Sequence, residues 1–136
     1  MDPAAEDQIS KMAPTEDDLI KLKTARSNKK RAVTISYNIL DQHGIVENGL
    51  SDQDKMTCER LKMEFSIFAQ SHDDYISSLE ETAGHEKHQD WKDSATYYND
   101  VHKKVYDVEL KVKLVGCREK FEEDFDVYKI ARIFQY

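Results

Sequence analysis

The chain has 136 residues, of which 35% are charged and 39% hydrophobic, with only 4 Gly and 2 Pro. That balance suits one domain of long, exposed helices, since a sheet protein would need more turn residues. The net charge of −7 argues against general affinity for nucleic acid or anionic membrane, and leaves room only for a local basic patch.

No apolar run approaches bilayer length, and the N-terminus lacks a signal-peptide pattern. Cys58 and Cys117 stand too far apart in sequence to suggest a disulfide framework, so two free, buried structural thiols are expected. The expected compartment is reducing and cytoplasmic, with the nucleus as the alternative.

Residues 1–14 form a small polar lead punctuated by Pro3 and Pro14, expected to be disordered. Thr15, followed by Glu16, Asp17 and Asp18, has the chemistry of an N-cap with acids in the first turn. A first helix is predicted from there to about Gln42, ended by Gly44. Its stripe is Leu19, Leu22, Arg26, Lys29, Val33, Ser36 and Leu40, polar in the middle where a bundle normally places Leu.

Asn48-Gly49 marks a turn, and Ser51 with Asp54 caps a second helix that runs to Gly84. Such a helix is roughly 50 Å long. Cys58, Leu61, Phe65, Phe68, His72, Tyr75 and Leu79 fall on it at alternating steps of three and four, the spacing of a heptad seam. His85 to His88 make a polar connection. A third helix follows from about Lys87 to Val115, with the stripe Trp91, Ser94, Tyr98, Val101, Val105, Val108, Val112 and Val115. Its β-branched valines favour a strand locally, but their spacing is helical and decides the assignment. Gly116 has the position of a C-cap, with Phe121, Phe125 and Tyr128 lining a short fourth helix; Val127 to Tyr136 reads equally as helix or strand.

The expected fold is therefore all-α: an elongated antiparallel bundle of three long, coiled-coil-like helices over residues 15–116. Residues 117–136 form a short C-terminal amphipathic extension that packs on the bundle or continues into a further region. The charged middle of helix 1 makes it a poor third partner, so helices 2 and 3 are expected to form the stable hairpin. That leaves an undercovered seam near Phe65, Phe68, Tyr98 and Val105, best hidden in a two-fold homodimer. The apolar tail residues Ile130, Ile133, Phe134 and Tyr136 compete for the same role by folding back.

Three motifs carry a family resemblance. The opening helix reads Leu19-Ile20-Lys21-Leu22-Lys23-Thr24-Ala25-Arg26, then Lys29-Lys30-Arg31 to Thr34 and an Ile39-Leu40 end. A long amphipathic helix of Leu61–Phe65–Phe68 type follows. Trp91 precedes Tyr97-Tyr98 and a Val/Leu/Lys-rich tail. Over residues 17–115 this order resembles the N-terminal Gag-like region of BEL/Pao-type LTR retrotransposons, a domain of unknown function. The resemblance implies a structural polyprotein segment upstream of a protease, encoded by an element or by a host gene derived from one. The chain contains neither an Asp-Thr/Ser-Gly protease loop nor a Cys/His zinc knuckle, so it is expected to be the helical piece alone.

Chemical signatures are weak. His85-Glu86-Lys87-His88 lacks the four-residue His spacing of a zinc metalloprotease helix, because position 89 is Gln. Cys58, Cys117, His85 and His88 offer four zinc-type ligands without the close Cys pair such sites use. His72 lies in the seam of helix 2, where an interhelical hydrogen bond explains it better than a ligand role. No phosphate loop or nucleophile elbow occurs. The expectation is a non-enzyme with no catalytic residues, cofactor, metal or small-molecule substrate.

One charge feature stands out. Lys21, Lys23, Arg26, Lys29, Lys30 and Arg31 fall between Leu19 and Val33 with no acid among them. They either pair with acids such as Glu119, Glu122, Glu123, Asp124 and Asp126, or contact nucleic acid, a nuclear-import receptor or a membrane surface. No aromatic residue interleaves with them before Tyr37, which counts against single-strand stacking. The expected function is a structural or self-association module. The alternatives are nucleic-acid binding through the basic patch and an intracellular coiled-coil adaptor for a partner helix.

Overall fold

The structure, a computed structural model, describes residues 13–134, with side chains described through residue 123. The expected lead, residues 1–14, falls almost wholly outside these residues, as do Gln135 and Tyr136.

The first two long helices begin where the sequence supplies a cap. The Thr15 hydroxyl accepts from the Asp18 N–H at 3.2 Å, and the Asp18 carboxylate accepts from the Thr15 N–H at 3.1 Å. This reciprocal pair opens α1, Glu16–His43. Gly44 ends it in the left-handed region, φ 57°, where a side chain would be strained. The single turn α2, Ile45–Asn48, redirects the chain. Ser51 and Asp54 then repeat the capping box at the start of α3, Asp52–Glu80. Asp54 also takes a 2.6 Å hydrogen bond from His43 Nδ1, which ties the end of α1 to the start of α3. Chiefly through that bond, and through the Ser51 N–H, the Asp54 carboxyl is held below its ordinary range despite burial.

After α3 come a 3-10 turn, His85–Lys87, and the short helix α4, Gln89–Lys92. The last helix, α5, runs unbroken over Ser94–Phe134. The third long helix thus starts at Ser94 rather than near Lys87. His88 caps α4 by accepting from the Asp90 N–H at 3.1 Å, and the chain breaks once more at Asp93.

α1 and α3 are antiparallel, with Arg26 level with His72, Ser36 with Glu64 and His43 with Asp54. α5 runs parallel to α1, placing Tyr37 against Asp107 and Lys111 beside Asp41. It runs antiparallel to α3, with Phe65 against Tyr98 and His102. The all-α bundle of three long helices is as expected, and the core is built from the expected stripes. Val33, Phe68 and Val101 are each 0% exposed, and Leu40, Leu61, Tyr75, Leu79 and Val115 are buried with them. Ile45 on α2 closes one end.

Three expectations are corrected. α1 is not the poor partner: it packs most extensively against α3, and α5 joins the pair as the third member. The polar middle of α1 is matched rather than excluded, since Ser36 donates to Glu64 at 3.2 Å and Arg26 meets His72. Lys29 is exposed and lies off the buried stripe, whereas Arg26 is 3% exposed. Gly116 does not end a helix. Its backbone stays out of the left-handed region and α5 passes straight through it. An interior Gly costs a helix only about 1 kcal/mol relative to Ala, too little to stop a run of good helix formers such as Arg118, Glu119 and Lys120.

Candidate interaction surface

α5 is longer than the bundle it belongs to. Near its middle, Lys111 reaches Asp41, and two turns further on Arg118 donates to the Val46 carbonyl of α2. Both tie α5 to the end of the bundle. Val115 is buried, and every side chain from Gly116 to Glu123 is exposed. The helix continues over residues 119–134, roughly 24 Å at 1.5 Å per residue.

Within the bundle, α5 has two apolar faces. Val101, Val105, Val108 and Val115 are buried against α1 and α3. On the opposite side, Tyr106, Leu110, Leu114 and Phe121 recur at steps of four and seven and stay exposed, Leu114 at 59% and Phe121 at 68%. Cys117 lies on this outer face and is exposed, not buried as expected; Cys58 is buried. Burial, together with the nearby Asp54 carboxylate, raises the Cys58 thiol above its ordinary pKa, which makes it a poor nucleophile.

Between α3 and α5 lies an open groove of about 310 Å3. Cys58, Leu61, Val105 and Val108 line it, and Lys55, Lys62 and Lys113 stand around it with Glu59 and Glu109. The expected seam residues border this region but are largely covered within the chain. Phe68 and Val105 are buried, and Phe65 and Tyr98 are half-buried against each other with centroids 5.6 Å apart. α5 itself covers that seam, because α1 left one side of α3 free for it.

The basic patch does not form one surface. Arg26 lies inside the bundle, its guanidinium 3.8 Å from the Tyr97 ring centroid and 4.6 Å from that of Tyr75. Its Nη1 lies 3.4 Å from His72 Nδ1. Arginine can only donate, so His72 accepts there and is neutral. Burial first, and then the Arg26 charge, lower the His72 pKa to the same effect. Arg26 Nε has no hydrogen-bond partner among the described residues.

Lys23 pairs with Asp90 at 2.9 Å, and Lys30 lies 4.5 Å from the Tyr97 centroid. Tyr75 donates to the same Asp90 carboxylate at 2.7 Å. Burial works to raise that carboxyl, but the bonds from Tyr75 and Lys23 outweigh it and hold it low. Lys21, Lys29 and Arg31 are exposed. Helical spacing points Arg31 away from Lys29, and Lys21 lies two turns before Lys29, so the three exposed cations are spread out rather than adjacent. Asp90 on α4 is thus an acid that meets this cluster; of the expected acids, Glu119, Glu122 and Glu123 are exposed, and Asp124 and Asp126 lie outside the described side chains.

The remaining sequence candidates have structural partners. His85 Nδ1 lies 3.2 Å from the Thr82 carbonyl and the ring meets Trp91 edge-on; His88 caps α4. Both stand beyond the C-terminal end of α3, whereas Cys58 is near its start, roughly 30 Å away along the helix. The four zinc-type residues are therefore not brought together. No helix among the described residues is long and apolar enough to cross a membrane. Comparisons of the chain with known protein families, with curated proteins and with solved structures found no match.

Proposed function

We propose that the chain is a non-enzymatic structural module that associates with copies of itself through α5. The observation that carries this reading is that α5 outruns its own bundle while presenting apolar surface. The outer stripe of Tyr106, Leu110 and Leu114 is exposed, and the helix continues for about four turns past Arg118, which contacts the bundle end. A helix of that length has little stability alone in water, and apolar stripes of this kind are normally hidden against another helix. The Gag-like character of the module, drawn from the motif order of residues 17–115, fits a role in assembly. A protease-coding region directly downstream in the genome would support that origin, and its absence would count against it.

Size-exclusion chromatography with light scattering at about 50 μM tests the association. The expected mass is twice the 15.9 kDa of one chain. A strict monomer would move the reading to an adaptor that uses the same helix for a different partner.

One observation favours a second reading. The fold gathers Lys30, Lys103 and Lys104 with Tyr37 and Tyr106 around a shallow groove between α1 and α5. Aromatic rings among lysines suit a single-stranded nucleic acid. Asp100 and Asp107 line the same groove and oppose phosphate. Titration with RNA at low and moderate salt separates the readings, because phosphate contacts weaken steeply with salt.

A further inference from the structure

We infer that the α5 extension of one copy seats in the α3/α5 groove of a second copy, reciprocally, about a two-fold axis. The inference rests on the self-association reading and specifies its contact.

The groove is the side of the bundle where a fourth helix would sit. Leu50, Cys58, Leu61, Val105, Val108 and Val112 make its apolar part, and its volume of about 310 Å3 accommodates a row of side chains from one helix face. The surrounding charges are net positive, with Lys55, Lys62 and Lys113 against Glu59 and Glu109. Lys62 shares Glu59 at 3.6 Å, but Lys55 and Lys113 have no ion-pair partner among the described residues. A fitting occupant is an apolar helix flanked by carboxylates.

The extension has that composition. Between residues 119 and 126 it carries Glu119, Glu122, Glu123, Asp124 and Asp126 against Lys120 alone. Further on, Val127, Ile130 and Phe134 recur at steps of three and four, in phase with Val112 and Gly116. Its own chain cannot use it. α5 supplies one wall of the groove and runs through Gly116 without a break, so folding back would require breaking the helix. In trans the geometry closes. The extension spans roughly 24 Å, and the α3 wall from Lys55 to Lys62 spans roughly 11 Å, so the extension is long enough to cover it. A two-fold axis makes both insertions at once and ends the assembly at two copies. Gly116 lies between the groove wall and the extension, where the two α5 helices meet. A Cβ placed there would touch nothing within 4 Å in a single chain, so close approach is open.

The test uses two full-length variants, both altered at exposed positions. One is Lys55→Glu with Lys113→Glu; the other is Glu122→Lys with Glu123→Lys. By sedimentation equilibrium each variant alone should show a dimer at least about tenfold weaker than the parent, since like charges now face each other. Mixing them in equal amounts should restore a heterodimer of parental strength. A monomeric parent overturns both the self-association reading and this inference. A parental dimer that neither variant weakens overturns the inference alone, placing the contact on the Leu110–Leu114 face. Weakening without rescue also overturns it. Should a variant fail to fold, alkylation of the parent decides: Cys58 should react more slowly as the concentration rises through the dimer range, while a concentration-independent rate contradicts a covered groove.

Discussion

The two halves of α5 are one helix with two different supports. Over residues 94–115 Val101, Val105, Val108 and Val115 are buried by α1 and α3; beyond Gly116 every described side chain is exposed. Neither half is set apart by a break in the backbone, and both carry charged and apolar residues at helical spacing. The difference lies in the partners, because α1 and α3 turn at Gly44 and Ser51 while α5 goes on. Local sequence makes a helix; packing decides whether that helix is stable, and the proposed partner for the second half is a second copy of the chain.

The largest effect should come from the supported half. Phe68 is fully buried between α3, Tyr97 and Tyr98. Phe68→Ala should cost about 3–5 kcal/mol by denaturant titration, a large part of a small domain's stability. A parent-like transition would place the core elsewhere.

Next comes the polar layer. Arg26→Leu removes the donor to His72 and leaves a buried ring nitrogen unsatisfied, at a cost of about 1–3 kcal/mol. Lys29→Leu, at an exposed position on the same helix, should change stability by less than about 0.5 kcal/mol. Equal effects would contradict the burial that separates them.

His72 gives the same layer a pH signature. Its folded pKa is lowered from the ordinary 6.5, so the unfolded chain takes up the proton first. Its contribution is intact above 6.5 and is lost as pH falls below that value toward the lowered one. Arg26 contacts the ring and opposes a second charge, Asp73 on α3 favours it, and Lys23, Lys30 and Asp90 lie in the surrounding layer. Urea midpoints should fall between neutral pH and about pH 5.5, and His72→Gln should flatten that slope. An unchanged slope would remove His72 as its source.

Gly116→Ala is the smallest and most diagnostic change. A helical Gly with open space around its Cβ position should gain about 0.5–1 kcal/mol on substitution. A true C-cap would lose stability instead.

These cases show what the sequence made legible. The seam Cys58–Leu61–Phe68–His72–Tyr75–Leu79 is buried as its spacing predicts, because an apolar stripe on a long helix has one way to be hidden. The valines of α5 read equally clearly. Arg26 did not, because its partners are His72 and Tyr97, far along the chain, and a charged residue on a stripe reads as a defect until they are placed. Gly116 misled because the residue type at a cap also occurs, at modest cost, inside a helix. The outer stripe of Tyr106, Leu110 and Leu114 was present in the spacing all along, but the valines offered a stronger stripe on the same helix. The groove lysines carry no sequence signal, since Lys55 and Lys113 come together only when α5 docks.

The most direct test of the account follows amide hydrogen exchange along α5 as the concentration changes. Amides of residues 97–112 should be protected at every concentration, because their support is intramolecular. Amides of residues 119–134 should be protected at about 50 μM and lose that protection on dilution toward the monomer. If residues 119–134 exchange at the same rate at all concentrations, the second half of α5 has no partner in a second copy, and the self-association reading fails.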